Sequence, residues 1–136
     1  MINKYIGIPW VKGQESLSGA DCWGVCRMVM RDVYGVEIPN QAGCMAEGDD
    51  LAAIVTKEME GQDWRSCGPR DGVLAVMVDK VSKRPEHIGV CIESRGLMVL
   101  HSINTGPNGA SALTPLPVIG RAFLSVRFFE YAGNNS

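Results

Sequence analysis

The chain holds 136 residues, 46% of them apolar, with 13 basic and 15 acidic side chains for a formal net charge of −2. That length suits a single domain over residues 1–136 with a core that needs no staples. The charge balance excludes the basic face from which nucleic-acid binding draws its phosphate contacts.

The start, Met1-Ile2-Asn3-Lys4-Tyr5, lacks the apolar segment of a signal peptide, and no stretch approaches the ~18 apolar residues of a membrane span. The expectation is synthesis in a cytosol and no membrane insertion. Residues 1–20 read as an irregular lead-in. From Cys22 to Tyr34 the spacing predicts a helix. Asp21 is its N-cap, Val25, Cys26, Met28, Val29 and Val33 form its inward face, and Gly35 stops it. A second helix is expected over Asp49 to Met59, with Leu51, Ile54 and Val55 inward.

The period then changes. Val73 to Val78 is a continuous apolar run, read as a strand buried on both faces. The charged stretch with Lys80, Lys83 and Arg84 is a solvated loop. His87 to Glu93 and Leu97 to Ser102 form a hairpin around Ser94-Arg95-Gly96. Asn104 to Pro117 reads as loop, and Ala122 to Tyr131 as a closing strand. Helices followed by a strand meander predict an α+β fold with an antiparallel sheet.

Of the five cysteines, Cys22 stands out. At the first turn of a helix a thiol meets unpaired N–H groups and the positive end of the helix dipole, an arrangement that lowers thiol pKa values. Gly19 and Gly24 beside it suggest room for a substrate backbone, and N–H groups at a helix start can form an oxyanion hole. Cys26 and Cys91 read as packing residues, and Cys44 and Cys67 as loop residues. No cysteine or histidine spacing suggests a zinc site or a disulfide framework.

Both histidines lie in the hairpin. A three-residue loop with Gly96 in the left-handed conformation sets Glu93 opposite Leu97 and Gly89 opposite His101. His87 and His101 then share a sheet face as diagonal neighbours, roughly 7–8 Å apart at the backbone. One imidazole can thereby hold the other in a fixed tautomer, as in a nucleophile–base–orienter triad.

Gly7-Ile8-Pro9-Trp10-Val11-Lys12-Gly13 and Gly19-Ala20-Asp21-Cys22-Trp23-Gly24 resemble the nucleophile segment of the NlpC-type cell-wall peptidases, which are papain-like cysteine hydrolases. Pro69-Arg70-Asp71-Gly72, His87-Ile88-Gly89-Val90 and Leu97 to Ser102 are similar to that family's later motifs. The Asp-Cys-Trp-Gly form, with Gly35-Val36-Glu37-Ile38-Pro39, is most similar to the phage tail-assembly branch. The resemblance implies a papain-like fold with Cys22 as nucleophile, His87 as base and His101 as its orienting residue. It further implies cleavage of peptidoglycan stem peptides at a γ-D-glutamyl-type bond, without metal or cofactor, with phage tail proteins as partners and a place in the virion. Trp10 stands where the family has an oxyanion-assisting Tyr, Gln14 replaces a glycine, and Asp21 and Trp23 flank the nucleophile as candidate substrate-binding residues. A non-catalytic tail module and an acyltransferase using the same residues are the alternatives.

Overall fold

The computed structural model describes residues 2–38, 51–103 and 108–133, with the side chains of 51–54 excepted. A short 3-10 turn at Ile2–Tyr5 precedes a small hairpin of β1 (Glu15–Ser16) and β2 (Gly19–Ala20). Then come α1 (Cys22–Tyr34), α2 (Leu51–Glu60), β3 (Trp64–Cys67), β4 (Leu74–Val78), β5 (His87–Glu93), β6 (Leu97–Ser102), β7 (Ser111–Pro115), α3 (Leu116–Ala122) and β8 (Ser125–Tyr131). Strands β3 to β8 form one antiparallel sheet in the order β3-β8-β4-β5-β6-β7. The fold is α+β, as the sequence indicates.

Helix α1 has the expected bounds and caps, with Gly35 left-handed at φ 69° and its N–H bonded to the Met30 carbonyl. Val33 departs from expectation: it is exposed, and Cys22 and Met30 are buried instead. The buried stripe therefore ends one turn early. The start of α2 at Asp49 and the inward faces of Leu51 and Ile54 lie outside the described residues, while Val55 is buried. Between β5 and β6 the register pairs Glu93 with Leu97 and Gly89 with His101, and Gly96 takes φ 114°.

The sheet separates two cores. Leu74, Val76, Ile88, Val90, Ile92 and Leu100 face Val25, Cys26, Met28 and Val29 of α1. Ala75, Met77, Cys91 and Val99 face Ile119 of α3. Alternation along β4 to β6 explains the division, since successive side chains point to opposite faces. Cys91 is thus a packing residue on the His87 face.

Three expectations are corrected. The stretch Asn104 to Pro117 is not all loop: it contains β7, and Leu116-Pro117 begin α3, where proline fits because a first-turn N–H needs no partner. β3 was not anticipated, because half of it is exposed and polar, and Cys67 closes that strand instead of lying in a loop. Ala122 to Tyr131 does not close a meander: β8 inserts between β3 and β4, which gives a half-buried strand a central place.

Candidate active site

Asp21 builds the end of α1. Its backbone is extended (φ −89°, ψ −176°), Oδ1 accepts from Gly24 N–H at 2.7 Å, and Oδ2 accepts from Gly13 N–H at 2.8 Å. Burial raises its pKa and these N–H bonds oppose that rise. With both oxygens engaged by backbone, Asp21 caps the helix and ties down the preceding loop.

Gly19 and Gly24 are likewise used internally. A Cβ on Gly19 would stand 2.8 Å from Val11 Cγ2, and one on Gly24 would meet the Gln14 carbonyl oxygen. These glycines let the lead-in loop close over α1, and the room expected for substrate is taken by the chain itself. Gln14 contributes through its backbone, its carbonyl accepting from Asp21 N–H at 3.2 Å.

Cys22 is buried, 3% exposed. Its thiol is pushed up to about 12, chiefly by burial and next by the Asp21 carboxylate; the Cys22 and Trp23 N–H groups pull it down by less. The expected lowering by the helix start is therefore reversed, because desolvation of a thiolate outweighs two N–H dipoles. Trp23 is buried in the core beside it. Trp10 is half-buried, its backbone N–H on the Gly109 carbonyl at 2.9 Å, and it bridges to Ala20.

The histidines meet as the register requires. His87 Nε2 and His101 Nδ1 are 2.8 Å apart, with the rings edge to face at 83°. His101 Nε2 lies 2.9 Å from Thr114 Oγ1, and the His87 ring stacks on Phe123 at 5.8 Å. Burial pushes both imidazoles down to about 4, and for His87 the neighbouring His101 adds to the shift. Both are neutral at neutral pH. Thr114 and Phe123 escaped the sequence reading: Thr114 sat in a stretch taken as loop, and no spacing links Phe123 to either histidine.

Cys22 and His87 lie at one end of the molecule. Tyr34, at the far end of α1, donates to Asp71 Oδ1 at 2.7 Å and to the Cys91 carbonyl at 3.4 Å. Helix α1 therefore runs alongside β5 in the same direction, with Cys22 toward the end where His87 begins the strand. No hydrogen bond joins thiol and imidazole among the described residues. Helix α1 packs on the even-numbered face of β5, whereas the histidine pair belongs to the odd-numbered face. Contact between them has to be made around the strand's end. Nearby, Ser102 Oγ is buried without a hydrogen-bond partner among the described residues.

Comparison with known proteins bears on this geometry. Residues 7–112 match the model of a family described as the NlpC/P60 family. No curated protein matches the sequence. Among solved structures, the crystal structure of the NlpC/p60 domain of the peptidoglycan hydrolase SagA is similar, with a TM-score of 0.52 and 18% identity. That alignment covers 93% of this chain and 88% of the other, and it shows a shared fold.

Proposed function

The chain belongs to the NlpC/P60 family, and from that premise we propose that it is a cysteine peptidase cutting amide bonds in peptidoglycan stem peptides. Cys22 is the nucleophile, His87 the base and His101 the residue that orients it. The observation that carries this reading is the hydrogen-bonded imidazole pair, whose outer nitrogen, His87 Nδ1, has no partner among the described residues and lies at the helix-start thiol's end of the molecule.

At rest the thiol and both imidazoles are neutral. Attack therefore couples two events: the Cys22 sulfur bonds to the substrate carbonyl carbon as the thiol proton passes to His87 Nδ1. The oxyanion is received by the Cys22 backbone N–H, with the Trp10 indole as a further donor. His87 returns the proton to the leaving amine, and water then hydrolyses the thioester. Catalytic hydrogen bonds commonly tighten only when substrate is bound, so the missing thiol–imidazole bond at rest is compatible with this sequence. The resemblance to the phage tail branch supports a γ-D-glutamyl-type bond as target and tail proteins as partners.

The test is mass spectrometry of peptidoglycan fragments incubated with the wild type and with Cys22→Ala. Wild type releases new stem-peptide fragments and the variant, still folded, releases none; turnover by the variant would overturn the assignment. A second reading, a non-catalytic tail module of the same fold, draws support from the sealed, protonated thiol. Under it, Cys22 reacts with iodoacetamide no faster than Cys67. Acyl transfer through the same thioester would show as amide products when amines are added.

A further inference from the structure

Three residues on three neighbouring strands form one hydrogen-bonded line: Thr114 on β7, His101 on β6 and His87 on β5. Each neutral imidazole has one N–H and one bare nitrogen, so the line has only two self-consistent directions. In one, Thr114 donates to His101 Nε2, His101 Nδ1–H donates to His87 Nε2, and His87 carries its hydrogen on Nδ1. In the other, His101 Nε2–H donates to Thr114 Oγ1, His87 Nε2–H donates to His101 Nδ1, and His87 Nδ1 is bare. Only the second leaves an atom at His87 that can accept a proton.

We propose that Thr114 is a positioning residue that selects the second direction: its hydroxyl oxygen accepts from His101 and thereby keeps His87 Nδ1 open. Thr114 is half-buried, so its own O–H can donate to water while its lone pair serves His101. His101 is 5% exposed, so its Nε2–H has little access to any other acceptor. The strand register fixes the line, since Thr114 lies opposite Val99 and His101 opposite Ala112, which makes Thr114 and His101 diagonal neighbours. Without the threonine oxygen, the Nε2–H of His101 would be buried unpaired, and moving the hydrogen to Nδ1 relieves this. That move turns the His101–His87 bond around and puts a hydrogen on His87 Nδ1. The protein's charge is unchanged, yet the base is gone. The catalytic consequence rests on the proposed peptidase reading; the tautomeric claim does not.

The experiment is nitrogen-15 NMR of both imidazoles at neutral pH in the wild type, Thr114→Val and Thr114→Ser. The expected result is Nε2–H on both rings in the wild type and in Thr114→Ser, with Nδ1–H on both in Thr114→Val. Muropeptide cleavage by Thr114→Val should fall about a hundredfold in kcat with KM little changed, the range a general base supplies, and Thr114→Ser should recover it. Nδ1–H on wild-type His87, or unchanged tautomers in Thr114→Val, overturns the proposal. If the wild type cleaves no muropeptide, the peptidase reading fails while the spectra still decide the role of Thr114. Valine is nearly isosteric with threonine; should that variant unfold, Thr114→Ala provides the same spectroscopic readout.

Discussion

His87 and His101 each hold a proton less readily in the folded chain than in the unfolded one, by a shift from 6.5 to about 4. Between those two pH values the unfolded chain binds more protons, so stability rises with pH across the window. The contribution is present above about pH 6.5 and is lost as pH falls toward about 4. The melting temperature should drop steadily over that window, and His101→Gln should make the drop shallower; a flat wild-type profile would contradict buried neutral rings. Ser102 presents the opposite kind of residue. Its hydroxyl is buried and has no partner among the described residues, so Ser102→Ala removes a desolvated group without breaking a bond to any of them. Thermal unfolding of that variant should occur at the wild-type temperature or slightly above it.

At the scale of elements, the β5–β6 pair is tightly constrained at Gly89. A Cβ on Gly89 would lie 2.6 Å from Val99 Cγ1, 2.8 Å from the Leu100 carbonyl oxygen and 3.0 Å from His101 Cβ. Gly89→Ala should therefore cost roughly 2–3 kcal/mol in urea unfolding and displace the His101 ring. Asp21→Ala, which frees the Gly24 N–H at the head of α1 and the Gly13 N–H in the loop before it, should cost about 1–2 kcal/mol. Both elements were legible in the sequence for local reasons: Asp21 and Gly35 punctuate the helix, and the three-residue loop sets the hairpin register. What stayed illegible depends on tertiary context. Ser111–Pro115 is a strand only because β6 supplies a partner for it, and the glycines and prolines around it signal a turn. The Cys22 environment was misread for a related reason, since a helix start is visible in sequence and the burial of its thiol is not.

At the scale of the whole molecule, the last described strand is an interior one. β8 pairs on one side with β3 and on the other with β4, so removing it opens two edges and uncovers Val76 and Leu74 together. A chain ending at Leu124 should fail to give a cooperative melt or dispersed amide NMR signals. The same placement sets a schedule for synthesis. Cys22 emerges from the ribosome about a hundred residues before Ser125, roughly 5–20 s at ordinary elongation speeds. Throughout that interval the sulfur is on an unfinished polypeptide whose sheet lacks an interior strand. Until that strand docks, the thiol lacks the burial that pushes its pKa up, so the growing chain carries a more readily ionised sulfur than the finished fold does.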